Sequence, residues 1–389
     1  MEAVRITPEG MDYGLVYFTS NSLLSDDRRI VLIQKVEGTR NLYLMDIESG
    51  AIKKLTDCTG RDDLSAPNSL FLESDFDNIS DGSVIVHSPS GQVFYMQGRK
   101  ICRTDPDGKV KVLNHIPAGK ESSVMHVSSD GRKLLLATSD RRAFKDYNGT
   151  NSAVIDATVQ ALGLSSQLRV YDTESGQELV CEQVPRAWIT HVQFAPEDDN
   201  VILYNHEWPS DCGIRRIWVW NGGEHVLVRT EGEGRSREDW TCHEMWERTG
   251  SNLIYHGGYK NGLFYVGKAT IPDLYDLSSI QLTEIAFPPE YVRYGHFTVS
   301  NTRAMVTDGY YQTPNEPGRV SRWVTILKPD WAQKTIEWIP ICEHNSDWKG
   351  QESHPHPIFN HAGNALYFNS NREGFRAVYR VDVSGLDLS

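Results

Sequence analysis

Apolar residues in this chain fall in short runs that stop at Asp, Asn, Gly or Ser, and the runs are rich in Val, Ile, Tyr and Trp. Helical periodicity is scarce, so the pattern predicts strands. The runs also recur. A polar turn followed by an apolar strand appears as DDRRIVLIQ (26–34), DGSVIVHSP (81–89), DGRKLLLATSD (130–140), DDNVILYNHE (198–207), GSNLIYHGGY (250–259), NTRAMVTDGY (301–310) and GNALYFNSN (363–371). After each comes a second phrase of strand, polar turn and strand, from LYLMDIESGAIKKLT (42–56) and ICRTDPDGKVKVL (101–113) through to VYRVDVSGLDLS (378–389). Seven alternating copies in 389 residues give a period of about 56, longer than the ~40–50 residues of a bare propeller blade, so loops carry the surplus.

Four short strands per unit, repeated seven times, predict an all-β fold, a seven-bladed β-propeller spanning 1–389 as one domain. Eight blades is the competing count, and the number of phrases favours seven. The last unit is one strand short, and the N-terminal VRITPEG is expected to supply it. Closing the ring this way removes an exposed sheet edge. One stretch, 141–167, breaks the pattern. It is expected to be an insertion on the third blade, between second and third strands, with a short helix over 153–162 that ends before Gly163.

In a propeller the start of each blade's first strand and the end of its second share one mouth. Of the 13 histidines, His126, His191, His243, His296, His354 and His356 fall at first-strand starts, and His206 and His256 at second-strand ends. Several imidazoles converging on one mouth suggest a metal centre or a general base. The alternative is a set of interior polar residues satisfied by backbone and channel water. The sharpest local signal is Gln351-Glu-Ser-His354-Pro-His356. In extended backbone, residues i and i+2 point to the same side, so His354 and His356 are presented together as a chelating pair. Three imidazoles and an amide oxygen would suit Mn, Fe, Ni or Zn.

Arg215-Arg216, ahead of IWVW, could form a substrate clamp, because guanidinium suits carboxylates. Arg40 (EGTRNLY) and Arg372 lie at corresponding places after second strands, where they either line the mouth or build turns. Cys242 and His243 are adjacent on a predicted strand and should face opposite ways, which argues against a Cys–His pair. GxSxG, P-loop and Rossmann fingerprints are all missing.

The formal net charge is −13, from 39 Lys+Arg and 52 Asp+Glu, which argues against a nucleic-acid binder. It does not argue against an anionic substrate, because net charge describes the whole surface and not one mouth. A divalent cation and Arg216 would make that mouth locally positive. No run approaches the length of a membrane span and MEAVRITPEG does not read as a secretory signal. The six cysteines are scattered without CxxC, as free thiols in a reducing cytoplasm would be. A closed ring needs no partner to complete its core, so a monomer or weak homo-oligomer is expected.

These motifs resemble the oligogalacturonate lyases, seven-bladed propellers that cleave short pectic oligomers by β-elimination. The likeness runs through RITPEG (5–10), GTRNLYLMD (38–46), YNHEWPSD and RRIW within 204–218, TCHEMW (241–246) and YGHF (294–297), to Q-x-x-H-P-H-P (351–357). It covers essentially the whole chain, is weakest in the second and third blades, and is most specific in TCHE and Q-x-x-H-P-H-P. The resemblance implies a metal, usually manganese, held by His296, Gln351, His354 and His356. It also implies His243 as general base and Arg216 as the active-site arginine. His206 and His191 fall on family segments near the substrate and, with Arg40, are the candidate substrate contacts. The sequence departs from the family pattern at Trp208, where glycine is expected, and at Thr190-His191-Val192, where the family has Gly-His-Pro. The implied partner is a small acidic oligosaccharide. Two other readings stay open: a lyase for a different uronic-acid oligomer, such as a rhamnogalacturonan fragment, and a non-enzymatic TolB-like binding module.

Overall fold

The computed structural model describes residues 1–61, 77–147, 153–207, 215–229, 239–289, 291, 295–302, 304–309, 311 and 321–388, and of Asp81 and Gln351 the backbone alone. The described strands form seven antiparallel sheets, six of them built from chain-consecutive strands. The fold is a seven-bladed β-propeller. Blade one takes strands from Tyr13–Leu15 to Ile52–Lys54, and blade two from Ile79–His87 to Val110–His115. Blade three runs from Lys120–Ser122 to Glu178–Val184. Its first strand is broken in two, Lys120–Ser122 and His126–Val127, both paired with Lys133–Asp140. Blade four starts at Val192–Phe194, blade five at Trp240–Trp246, blade six at Phe297–Val299 and blade seven at Ile358–Phe359.

Blade seven receives its outer strand from the other end of the chain, with Val4 opposite Arg380 and Arg5 opposite Tyr379. The pairing covers an edge that would otherwise present unpaired backbone groups. The core is not a single ball. Its buried apolar clusters lie between neighbouring blades, as where Val31, Ile33 and Leu42 of blade one meet Val84, Val93 and Tyr95 of blade two. Blades seven and one meet in the same way through Ile358, Tyr367 and Val378 against Tyr13, Ile30 and Leu32. Alternation within each strand sends one row of side chains to each neighbour, so a strand here is apolar on both faces.

Between the second and third strands of blade three, a helix runs Ala153–Leu162. It ends at Gly163, whose φ of 62° is the left-handed geometry of a helix C-terminus. Leu164 N–H donates to Val159 O at 3.0 Å, completing that cap. Ile155 and Val159 of the helix pack with Phe144, Leu164 and Trp188 in a small satellite core. No helix among the described residues is long and apolar enough to cross a membrane.

Candidate metal centre and active site

The innermost strands of blades four to seven bring their histidines together. His296 immediately precedes the first strand of blade six, and His354 and His356 precede that of blade seven. All three are buried, and one ring nitrogen from each lies within 4.8 Å of the others. His356 Nε2 is buried and makes no hydrogen bond. Leaving a polar nitrogen unsatisfied in the interior costs about 1–3 kcal/mol, a cost that a bound cation would remove. The donor set therefore fits a divalent metal. All three imidazoles are neutral ligands, which leaves most of the cation's charge available to an anionic substrate. Gln351 opens the short 3-10 turn Gln351–Ser353 just before the pair, but its side chain lies outside the described residues.

The H-x-H pair does not sit in plain extended backbone. His356 has φ 46°, in the left-handed region where a non-glycine residue is strained. Asp308 holds this geometry. Its Oδ1 accepts the His296 N–H at 2.7 Å, its Oδ2 accepts the His356 N–H at 3.0 Å, and His296 Nδ1 lies 3.1 Å from the same Oδ2. Burial alone would raise the Asp308 carboxyl, but His296 and His356 reverse this and hold it well below the usual carboxylate range. An ionised carboxylate behind a ligating imidazole fixes the tautomer and orients the ring. Sequence reasoning missed Asp308. It ends the second strand of blade six, the repeat position that gave His206 and His256, and a search there for acids as well as histidines would have found it.

His243 lies beside this group, its ring centroid 4.7 Å from that of His296. It too has a left-handed backbone, φ 39°, in a bulge between Cys242 and Glu244. The bulge overturns the expectation that Cys242 and His243 face apart. Cys242 sits opposite His256 across the ladder, and ligand atoms of Cys242, His243 and His256 lie within 4.8 Å of one another. His243 Nδ1 and His256 Nε2 are 2.9 Å apart. Burial, then the neighbouring His296, His256 and Arg216, holds the His243 imidazole well below its ordinary value, so it is neutral at pH 7. Tyr17 and Phe18, from the loop after the first strand of blade one, wall the cluster. The Phe18 ring lies 5.0–5.4 Å from His296, His356 and His243. No periodic signal marks this pair, because it belongs to a loop.

Arg216 is buried between two carboxylates. Its Nε donates to Glu244 Oε2 and its Nη1 to Glu207 Oε2, each at 2.7 Å. Glu207 also accepts from Thr190 Oγ1 and Asn205 Nδ2, both at 2.7 Å. Burial lifts the Glu244 carboxyl to about 6 even against Arg216. The guanidinium is thus matched by acids, and alone it does not make the mouth positive. His191 joins this network to the cluster, with Nδ1 3.0 Å from Thr190 Oγ1 and Nε2 3.3 Å from Tyr17 OH. His206 packs against Tyr204 and Trp218. Trp208 lies outside the described residues. Arg40 is buried and reaches Glu352 Oε1 at 3.0 Å, where Lys35 Nζ also lies at 2.7 Å. Both cations thus meet the turn Gln351–Ser353. Burial opposes ionisation of Glu352, yet Arg376, Lys35 and Arg40 bring its carboxyl down to about 2. The turn that carries Gln351 is thereby pinned to blade one.

The fold and this cluster define a class, a closed propeller built around a buried imidazole centre. Comparison with known proteins names the family. The model of the family described as oligogalacturonate lyase matches residues 164–385. The oligogalacturonate lyase of Dickeya dadantii strain 3937 is 23% identical over 407 aligned positions, covering 98% of this chain and 93% of the relative. The oligogalacturonide lyase of Pectobacterium atrosepticum is 23% identical over 417 positions with the same coverage. A solved oligogalacturonate lyase in complex with manganese superposes with a TM-score of 0.78 at 20% identity, over 98% of this chain and 93% of that one. The chain belongs to the oligogalacturonate lyase family, and by class it is a lyase. That settles the choice between an enzyme and a TolB-like binding module in favour of the enzyme.

Proposed function

We propose that this protein cleaves short oligogalacturonides by β-elimination, leaving a 4,5-unsaturated uronate at the new end. The observation that carries the reading is the neutral, buried His243 ring packed against His296 of the imidazole triad. The C5 proton of a uronide is only weakly acidic, since the adjacent carboxylate opposes a developing negative charge. A divalent cation, Mn2+ by the resemblance, held by His296, His354, His356 and Gln351 would supply the charge that offsets this carboxylate.

The protein's own groups do the rest. His243, whose Nδ1 lies 2.9 Å from His256 Nε2, takes the C5 proton, the C4–O bond breaks, and the leaving oxygen takes a proton from water. Arg216 lies close enough to His243, His256 and His191 for its charge to oppose their protonation, so it keeps the base ready. Asp308 orients His296 and holds the backbone of His356. His191 and His206 border the substrate on the blade-four side, and Arg40 acts through Glu352. Tyr17 and Phe18 exclude water from the base. The described cysteines are free thiols, which suits the cytoplasm. The closed ring suits a single-domain monomer or weak homo-oligomer whose partner is a small acidic oligosaccharide.

The test follows ultraviolet absorbance of the conjugated product from digalacturonate, with and without EDTA. Activity should vanish with EDTA and return with manganese. His243→Ala should keep its metal and lose turnover. Absence of product from any uronide with manganese present would sink the reading.

A further inference from the structure

The triad is not the one place where ligating atoms converge. We infer that Cys242, His243 and His256 form a second cation site, for a thiophilic ion of the zinc class, and that filling it silences the enzyme. The second half rests on His243 being the base; the site itself does not.

The argument is geometric. Cys242 and His256 are direct cross-strand partners, so their side chains share one face, and the bulge after Cys242 turns His243 onto that face. Their ligand atoms already lie within 4.8 Å of one another, and the two ring nitrogens are 2.9 Å apart. Tetrahedral zinc, with Zn–N of about 2.0–2.1 Å and Zn–S of about 2.3 Å, spaces two nitrogens by about 3.3 Å and nitrogen from sulfur by about 3.6 Å. The pair of rings needs to open by only a few tenths of an ångström. Cys242 is half-buried while both histidines are buried, so an ion enters from the cysteine side.

The chemistry separates this group from the triad. Three imidazoles bind a hard or borderline ion, whereas a thiolate selects a soft one. Burial pushes the Cys242 thiol up to about 11, so the thiolate forms only as the ion arrives. The S–H bond breaks, the proton leaves to solvent, and the sulfur lone pair forms the metal bond. Ligation through His243 Nδ1 leaves that ring's one proton on Nε2, so the neutral imidazole has no lone pair with which to accept the C5 proton.

The experiment saturates the protein with Mn2+ and then titrates Co2+, reading the near-ultraviolet charge-transfer band that only thiolate–cobalt bonds give. The wild type should show the band, and Cys242→Ala should lose it. Exposed Cys181 contributes equally to both. Cys242→Ser, nearly isosteric, and His256→Gln guard against a folding defect and should lose the band likewise. An identical band in all four proteins overturns the site. In the lyase assay, Zn2+ should inhibit wild type, and Cys242→Ala should need roughly 10- to 100-fold more, the usual effect of losing one metal-site group. Equal zinc sensitivity overturns the silencing. If no uronide is cleaved at all, the lyase reading fails while the cobalt band still decides the site.

Discussion

Blade three and blade six each carry a histidine on or beside the innermost strand, and the two rings have different fates. His126 in blade three sits opposite Leu135 across the ladder. Its Nδ1 accepts the N–H of Phe194 at 3.2 Å, and its ring lies against the Phe194 ring. It is a packed, satisfied interior histidine. His296 in blade six faces the end of the second strand, where Asp308 takes both its backbone N–H and its ring nitrogen. The two differ in depth as well as in partner: His126 pairs within the body of the second strand, two residues before the turn at Ser128, whereas His296 lies opposite the end of its second strand, four residues before Ser300. The repeat thus supplies the opportunity for a site, and depth along the strand together with the cross-strand partner decides whether the imidazole is spent on packing or turned toward a ligand.

The strongest way to break this contrast is to make blade six resemble blade three. Asp308→Ala removes the acceptor for two backbone N–H groups and for the ring of His296. Metal affinity and turnover should both fall by roughly 10- to 100-fold, the usual cost of losing the group behind a ligating histidine. Metal analysis after dialysis and the absorbance assay read the two quantities. Asp308→Asn should lose less, because its amide oxygen can still accept one of the N–H groups. If the variant retains full manganese and full activity, Asp308 is not what distinguishes the blades.

Acid sharpens the comparison on a smaller scale. Burial holds the imidazoles of His206 in blade four and His354 in blade seven at about 4, against about 6.5 in an unfolded chain. Between those values the unfolded chain takes up protons that the folded chain refuses. Their contribution to stability is therefore complete above about pH 6.5 and is lost as pH falls towards about 4, at up to ~1.4 kcal/mol per pH unit for each ring. Melting temperature should drop steadily from pH 7 to pH 5. Substituting His206 by Gln should flatten that slope, and a slope unchanged in the variant would remove His206 as a contributor.

The same contrast explains what could be read from the chain beforehand. The seven-fold period and the mouth-facing histidines were legible because β alternation and strand–turn repetition are local. Cys242 facing His256 was not, because one bulge shifts the register and reverses the facing of the residue that follows. Tyr17 and Phe18 were not, because loop residues carry no period. Asp308 was within reach, at a position the repeat already marks as mouth-facing. Arg216 was legible as a cation near the site but not as one flanked by Glu207 and Glu244, since Glu207 folds back from just beyond the second strand of the same blade and Glu244 comes from blade five.

The smallest expected effect comes from blade three itself. His126→Gln keeps a side-chain acceptor near the Phe194 N–H, while His126→Ala leaves that group without its partner. A typical hydrogen bond contributes about 1 kcal/mol net, so Gln should cost less than that and Ala somewhat more, both read as a shift in thermal unfolding. Neither should change manganese content or the turnover of digalacturonate, because the ring is directed at the blade-four strand and not at the triad. A loss of metal in either variant would mean that the blade-three histidine belongs to the centre after all. Depth and cross-strand partner would then no longer explain why histidines of the innermost strands divide into packing and chemistry.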